Sequence, residues 1–209
     1  TWGDVDSVTQ EYGLATPGGV VTTTGVAGLT LGGGYGWQSR KNGLACDNLL
    51  SAQIVTADGN VLTASKTENP DLFWAIRGGS GNFGVVTSFE FQLHPVGPDV
   101  FFAFVMYPAN KDVLHFHRRF IANAPDEINS LAVLGKVPHD DMFPAESHGQ
   151  NYVALLASYI GDVEDGQQAL QPIRALGDPL VDFNGVMPFV ELQQFYDACS
   201  PAGALRSLC

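Results

Sequence analysis

Glycine is concentrated in one stretch of the chain, residues 17–36, which reads PGGVVTTTGVAGLTLGGGYG. Each glycine costs backbone entropy on folding and weakens a helix or strand that contains it, so stability does not explain so dense a run. Without a Cβ, the backbone can lie directly against a flat or phosphorylated ligand, and its bare N–H groups can form an anion-binding concavity. The stretch therefore predicts a ligand-binding loop, with a set of tight turns in a β-rich domain as the alternative.

Two common nucleotide-binding motifs are excluded by the residues that come after these glycines. A phosphate-binding NTPase loop ends in Gly-Lys-Ser/Thr, whereas Gly34 is followed by Tyr-Gly-Trp. A Rossmann fingerprint needs a strand before the glycines and a long helix after them, whereas residues 37–43 read as a short polar turn. A dinucleotide bound here would be held in another way.

Composition narrows the class of protein. The chain has 209 residues, of which 45% are hydrophobic and 15% charged, as expected for one or two globular domains. A net charge of −12 argues against nucleic acid or an anionic membrane surface as a partner, and no apolar run approaches the roughly 20 residues of a membrane span. Three cysteines, Cys46, Cys199 and Cys209, show no metal-ligand spacing, so we expect no metal site and no disulfide framework. The cysteine usage and the lack of a signal-peptide pattern within the sequence predict a reduced, cytoplasmic location.

Hydrophobic periodicity predicts a mixed α+β chain. A breaker cluster at residues 94–98, HPVGP, suggests a domain boundary between residues 1–98 and residues 99–209. Leu72, Phe73, Trp74 and Ile76 are the expected buried residues of one helix. Helices are expected over 4–12, from 69–71 onward, and over 110–122, 162–176 and 189–197; strands over 50–56, 61–64, 85–93, 100–107, 128–137, 151–159 and 181–183. An Asp-Gly turn at 57–60 predicts a hairpin, and no cap or closing strand is recognised in the tail 201–209.

A second glycine loop, RGGSGNFG at residues 77–84, precedes one of these strands. Four segments, which begin at residues 24, 43, 57 and 69, carry a recognisable pattern. They read, in chain order, TGVAGLTLGGGYG, GLACDNL, ADG and NPDLFWAIRGGSGNFGVVT. Together they resemble the FAD-binding core of the FAD-linked oxidases related to berberine bridge enzyme, in the vanillyl-alcohol-oxidase (PCMH-type) superfamily. The resemblance is strong over residues 1–98. It is looser beyond, where residues 188–201, with Gln193 and Asp197, resemble the family's substrate domain.

The resemblance implies an α+β fold: the second half of a PCMH-type FAD-binding domain over 1–98, followed by part of an antiparallel-sheet substrate domain over 99–209. It implies FAD as cofactor and oxidation of a small-molecule alcohol, sugar or amine by hydride transfer to the flavin, which oxygen then reoxidises. The first FAD-binding subdomain is expected to be absent. The alternative is therefore a truncated, non-catalytic fragment that folds without flavin and self-associates through surface that the absent part would cover.

Cofactor contacts are predicted in both glycine loops, because a pyrophosphate needs N–H donors free of bulky side chains. Backbone from residue 21 to residue 24 is expected along the flavin ring. No catalytic base is assigned; Tyr107, Tyr152, Tyr159 and Glu191 are of suitable type, with a core or surface role favoured for each. The predicted contacts are Val21, Thr24, Gly25, Gly28, Leu29, Gly32, Gly33, Gly36, Asn82, Gly84, Val85 and Val86.

Covalent attachment of the flavin is not expected from the residues present. In the family, a histidine in a Gly-Gly-His loop bonds to the flavin. His94, His115, His117, His139 and His148 lie in no such loop and are interpreted as surface or boundary residues. Many relatives also carry a flavin-bonding cysteine before the position of Gly25, where this chain has Val-Thr-Thr at residues 21–23.

Overall fold

The computed structural model describes residues 1–139 and 143–199. Contacts divide the described chain into two compact units, residues 1–98 with 189–199, and residues 99–188. The sequence predicts a division after the same residue, 98, but assigns everything beyond it to a second domain. The structure differs, because the chain returns to the first unit at Phe189. The predicted tail 201–209, with Cys209, lies outside the described residues.

The first unit combines short helices with a three-stranded antiparallel sheet. Its elements are α1 (Trp2–Gln10), β1 (Leu14–Ala15), α2 (Val26–Leu31), α3 (Ser39–Asn42), β2 (Leu49–Val55), β3 (Val61–Ser65), α4 (Pro70–Ile76), β4 (Val85–Phe91) and β5 (His94–Pro95). The sheet order is β3-β2-β4, and β1 pairs with β5 in a separate ribbon. As predicted, a turn containing Gly59 at φ +83° joins β2 to β3. The mixed helix and antiparallel sheet predicted from the sequence are confirmed.

Alternation along β2 buries Ala52 and Ile54 in a core that also contains residues of α2 and α4. In α4, Phe73 and Ile76 are buried as predicted, but Trp74 is 76% exposed, so its assignment to the core is wrong. Consecutive helical residues point about 100° apart, so Trp74 lies off the buried face.

Strand β4 departs from simple alternation. Its partner β2 pairs Gln53 with Ser88 but Ile54 with Val86, so the register shifts by one residue at a bulge. The bulge changes which residues face the core, since the side-chain period of a strand is two. Val86 and Phe89 therefore both pack against the core, although residues three apart in a regular strand would lie on opposite faces.

The second unit is a four-stranded antiparallel sheet with two helices. Its elements are β6 (Asp99–Pro108), α5 (Lys111–Asn123), β7 (Ile128–Lys136), β8 (Asn151–Tyr159), α6 (Val163–Leu170) and β9 (Val181–Pro188), and the sheet order is β7-β8-β6-β9. Helices begin where a side chain caps them: Asn110 accepts a hydrogen bond from the Asp112 amide, and Asp162 from the Glu164 amide. Helix α6 ends at Leu170, before Pro172, and is therefore shorter than the expected helix over 162–176. The chain continues as a 3₁₀ turn over Gln171–Arg174.

Helix α7 (Phe189–Gln194) and a 3₁₀ turn (Asp197–Cys199) complete the first unit. Phe189, Leu192 and Gln193 are buried, and α7 packs against α1. The predicted helix over 189–197 is therefore shorter than expected. This segment brings polar side chains to the first glycine loop.

Candidate functional site

Part of the backbone of the first glycine loop, around Gly25 and Gly28, is exposed and has no protein atoms packed against it. Residues 20–24 form a loop without regular structure, and Gly25 is the N-cap of α2. The first amides of a helix have no acceptor within the helix, so the first turn of α2 presents N–H donors. Gly25 and Gly28 are exposed, and a Cβ added at either would meet no atom within 4 Å. Bare amides beside open space are the donor set that suits a pyrophosphate, so these residues fit FAD.

Other glycines of the same stretch are explained by packing. A Cβ at Gly36 would lie 1.8 Å from the carbonyl oxygen of Gly18, and one at Gly34 would lie 2.6 Å from Cβ of Ala45. Gly33 is buried and has φ +114°. Packing in tight turns therefore explains the glycines at these positions. Ligand binding remains the explanation for the exposed glycines, Gly25 and Gly28. Cofactor contacts by Gly33 and Gly36 stay predictions that would involve backbone atoms alone.

The structure brings the second glycine loop beside the first. The Gly78 amide donates a 2.9 Å hydrogen bond to the carbonyl of Leu31, the last residue of α2. From the other side, the amides of Ala45 and Cys46 donate to the carbonyls of Gly34 and Gly33, at 2.8 and 2.9 Å. The end of α2 is thus held between residues 45–46 and the loop that follows α4.

The predicted residues of the second loop differ in surroundings. Asn82 is exposed and donates to the Gly79 carbonyl at 2.8 Å, which closes its own loop. Gly84 has φ +145°, and a Cβ there would lie 2.3 Å from the Val55 carbonyl oxygen, so glycine is required for packing. Val85 is 70% exposed, whereas Val86 packs in the core. Val85 is therefore better placed than Val86 to offer a side chain to a ligand.

The loop over residues 20–24 is held by groups that the sequence patterns do not assign to it. The Gly3 amide donates to the Thr22 carbonyl at 2.9 Å, and the Trp2 amide to the Thr24 carbonyl at 3.0 Å. On its other side, the Thr22 amide donates to Oδ1 of Asp197 at 2.8 Å, and the Thr22 hydroxyl donates to Oδ2. No local spacing signals this pairing, since 175 residues separate the two partners.

The surroundings of the residues that could act as a general base, and of His94, do not single out any of them. The Tyr107 hydroxyl is buried and donates to the Ile173 carbonyl at 2.8 Å, and burial raises its pKa. Burial also raises the pKa of Tyr159, and Glu191 is exposed on α7. His94 is hydrogen-bonded to Oδ1 of Asn48 at 2.6 Å, and burial lowers its pKa. None of these contacts identifies a base.

Metal-binding clusters and membrane-spanning helices are both absent from residues 1–139 and 143–199. Within these ranges, no three His, Cys, Asp or Glu side chains are grouped so that they could hold a metal ion. Across the same residues, no helix combines the length and apolar character needed to cross a membrane.

The fold and the open glycine loop define a class, the PCMH-type FAD-binding flavoproteins. A family model described as "FAD binding domain" matches residues 1–65. The relatives and structural neighbours of the chain belong to this class, which includes berberine bridge enzyme-like proteins. The family match and the flavoprotein relatives indicate FAD as the cofactor.

Three proteins of known class show how far this similarity extends. An FAD-linked oxidoreductase of Dictyostelium discoideum is 36% identical over 205 residues, which are 97% of this chain and 42% of that protein. The crystal structure of 6-hydroxy-D-nicotine oxidase from Arthrobacter nicotinovorans superimposes with a TM-score of 0.82 at 28% identity, covering 97% of this chain and 44% of that one. Xylooligosaccharide oxidase from Myceliophthora thermophila C1, in complex with xylobiose, superimposes with a TM-score of 0.74 at 33% identity, covering 95% and 41%. The chain thus spans about two fifths of the curated relatives that it matches.

Proposed function

We propose that this chain supplies part of the flavin site of an FAD-dependent oxidase that acts on a small alcohol, sugar or amine. The observation that carries the proposal is the open part of the first glycine loop, where Gly25 and Gly28 are exposed and an added Cβ at either would meet no atom within 4 Å. When bound, FAD supplies the redox chemistry, accepting a hydride from the substrate and passing the electrons to oxygen. The names of the relatives support this range of substrates, since one oxidises a hydroxynicotine and another a xylooligosaccharide.

The roles proposed for the chain's own residues follow from their positions. The amides at the start of α2 would hold the pyrophosphate, because the positive end of a helix and its unpaired N–H groups both favour an anion. Residues 21–24 would lie along the flavin ring, and Asn82 and Val85, both exposed, would contact the nucleotide from the second loop. We assign no residue to proton transfer.

The test is FAD binding by the purified chain and by Gly28→Ala. Gly28 lies inside α2, so alanine raises helix propensity by about 0.5–1 kcal/mol, and the added methyl meets open space. The variant should therefore be at least as stable as the parent. A methyl placed against a pyrophosphate should nevertheless weaken FAD binding about tenfold or more, since about 1.4 kcal/mol corresponds to a factor of ten.

The measurements are FAD titration followed by flavin fluorescence, and thermal unfolding without FAD. Gln167→Ala on the exposed face of α6 is the matched control, because it also raises helix propensity but lies in the second unit. Equal FAD affinity in the parent and Gly28→Ala would contradict the proposed cradle. A parent chain that folds, binds no FAD and self-associates in light scattering would support the alternative, a fragment that folds without flavin.

A further inference from the structure

We propose that Asp197 is a positioning residue of the flavin site, and that the segment over residues 189–199 sets the conformation of the loop at residues 20–24. The inference rests on the proposed function, because it assigns a role to the loop that is expected to lie along the flavin. It adds a residue that neither the glycine motifs nor the family model over residues 1–65 includes.

Asp197 binds Thr22 with both oxygens of its carboxylate. Oδ1 accepts from the Thr22 amide at 2.8 Å, and Oδ2 accepts from the Thr22 hydroxyl. Hydrogen bonds to an ionised acceptor are about twice as strong as neutral ones, and two of them from one residue also fix its orientation. Both residues are half-buried, which limits the competition of water for these bonds. The carboxylate therefore fixes the backbone and the side chain of Thr22 together.

The peptide groups around Thr22 are held from two directions. Its carbonyl accepts from the Gly3 amide of α1 at 2.9 Å, while its amide donates to Asp197. Gln193 adds a weaker contact, from Nε2 to the Gly19 carbonyl at 3.4 Å. A loop without regular structure relies on such contacts for its conformation, since it has no ladder of its own.

The segment that carries Asp197 is fixed independently of Thr22. Phe189 and Leu192 are fully buried, and the rings of Tyr196 and Trp37 stack with centroids 5.9 Å apart. Loss of the Asp197 carboxylate should therefore release the loop without detaching the segment. This separates a positioning effect from a general loss of the fold.

The consequence for the cofactor follows from the neighbours of Thr22. Val21 and Thr24, predicted flavin contacts, lie on either side of it, and Gly25 begins α2 directly afterwards. A loop held in its bound conformation before the ligand arrives binds more tightly, because less ordering entropy is lost on binding. Asp197 would thus raise FAD affinity without touching FAD.

The experiment compares Asp197→Ala, Asp197→Asn and Glu191→Ala in the full chain. Asparagine is the conservative variant, because its carbonyl can accept from the Thr22 amide while its NH₂ donates to the Thr22 hydroxyl. Glu191 is an exposed carboxylate of the same segment and controls for the loss of charge. Three quantities are measured: amide hydrogen exchange at Thr22 without FAD, the dissociation constant for FAD, and the unfolding temperature.

Asp197→Ala should speed exchange at Thr22 and weaken FAD binding, each by about tenfold, as expected for about 1.4 kcal/mol lost with charged hydrogen bonds. Asp197→Asn should remain within about threefold of the parent in both, and Glu191→Ala should match the parent. If Asp197→Ala does not fold, Thr22→Val replaces it, with the expectation of weaker FAD binding than the parent.

The outcomes separate this inference from the proposed function. A parent that binds FAD only as tightly as Asp197→Ala, or as Thr22→Val where that variant is used, overturns the positioning role and leaves the proposed function intact. A parent that does not bind FAD overturns the proposed function and, with it, the role of Asp197. Weakened FAD binding in Glu191→Ala to the same extent as in Asp197→Ala would also overturn the inference, because charge alone would then explain the effect.

Discussion

Nε2 of Gln193 donates a 2.9 Å hydrogen bond to Oδ2 of Asp6, although 187 residues separate the two in the sequence. Asp6 is only 1% exposed, and its other oxygen, Oδ1, has no hydrogen-bond partner among the described residues. Burial raises the pKa of Asp6 to about 6, even though the bond from Gln193 favours the charged form. The first unit therefore holds a carboxylate whose ionisation opposes folding.

This arrangement predicts how stability depends on pH. Between about pH 4 and pH 6, the folded chain binds the Asp6 proton more tightly than the unfolded chain, so the free energy of unfolding falls as pH rises. Above about pH 6 the penalty is complete and amounts to about 3 kcal/mol, because the pKa of Asp6 rises from its ordinary value of about 4 to about 6. Asp6→Asn, which stays neutral and can still accept from Gln193, should be more stable than the parent at pH 7.5 and similar at pH 4.

Urea unfolding at a series of pH values from 4 to 7.5 measures the difference between Asp6→Asn and the parent. Glu11→Gln, at an exposed carboxylate just beyond α1, is the control, and the difference between its unfolding free energy and that of the parent should not change with pH. A constant difference between Asp6→Asn and the parent over the whole range would show that Asp6 does not titrate in this window.

Gly36→Ala should be strongly destabilising. The added methyl would lie 1.8 Å from the Gly18 carbonyl oxygen, so two buried backbone segments would have to separate. Overpacking of this kind typically costs about 1–3 kcal/mol, and a clash with backbone should reach or exceed the upper value. Gly28→Ala adds the same methyl to open space and should cost nothing. Thermal unfolding of the two variants side by side checks the contrast, and equal unfolding temperatures would contradict it.

Tyr107→Phe should destabilise the second unit by about 1–2 kcal/mol, because the buried Ile173 carbonyl would lose its 2.8 Å hydrogen bond from the tyrosine hydroxyl. Tyr12, which is 74% exposed, provides the matched Tyr→Phe control with an expected change near zero. Chemical denaturation measures both variants. A Tyr107→Phe variant as stable as the parent would argue that the hydroxyl is free for another role.

Truncation of the two adjacent aromatic residues of α4, Phe73 and Trp74, should change stability to very different extents. Phe73→Ala removes a ring buried in the core of the first unit and should cost about 3–5 kcal/mol. Trp74→Ala removes an exposed ring and should change stability by less than about 0.5 kcal/mol. Unfolding free energies of the two single variants test the orientation of the helix. A larger loss of unfolding free energy in Trp74→Ala than in Phe73→Ala would contradict the assignment of Phe73 to the buried face of α4.

Much of the local structure could be predicted because it is encoded within a few residues. Strand β2, its hairpin turn and strand β3 follow from alternation and an Asp-Gly pair, and Pro172 marks the end of α6. The bulge in β4 could not be predicted, since it depends on how the strand pairs with β2. The apolar character of Trp74 predicts a core position, but its place on the helix surface leaves it exposed.

By itself, the sequence determined the α+β class, the two glycine loops and the resemblance that indicates FAD. Only the tertiary structure decided which glycines have free space beside them. Gly28 and Gly36 cannot be told apart in the sequence, but a Cβ would meet no atom within 4 Å at Gly28 and would clash with the Gly18 carbonyl oxygen at Gly36. It alone brought Gln193 to Asp6 and Asp197 to Thr22. The physical reason is that local patterns specify helices, strands and turns, whereas the pairing of groups so far apart in the chain is set by how those elements pack.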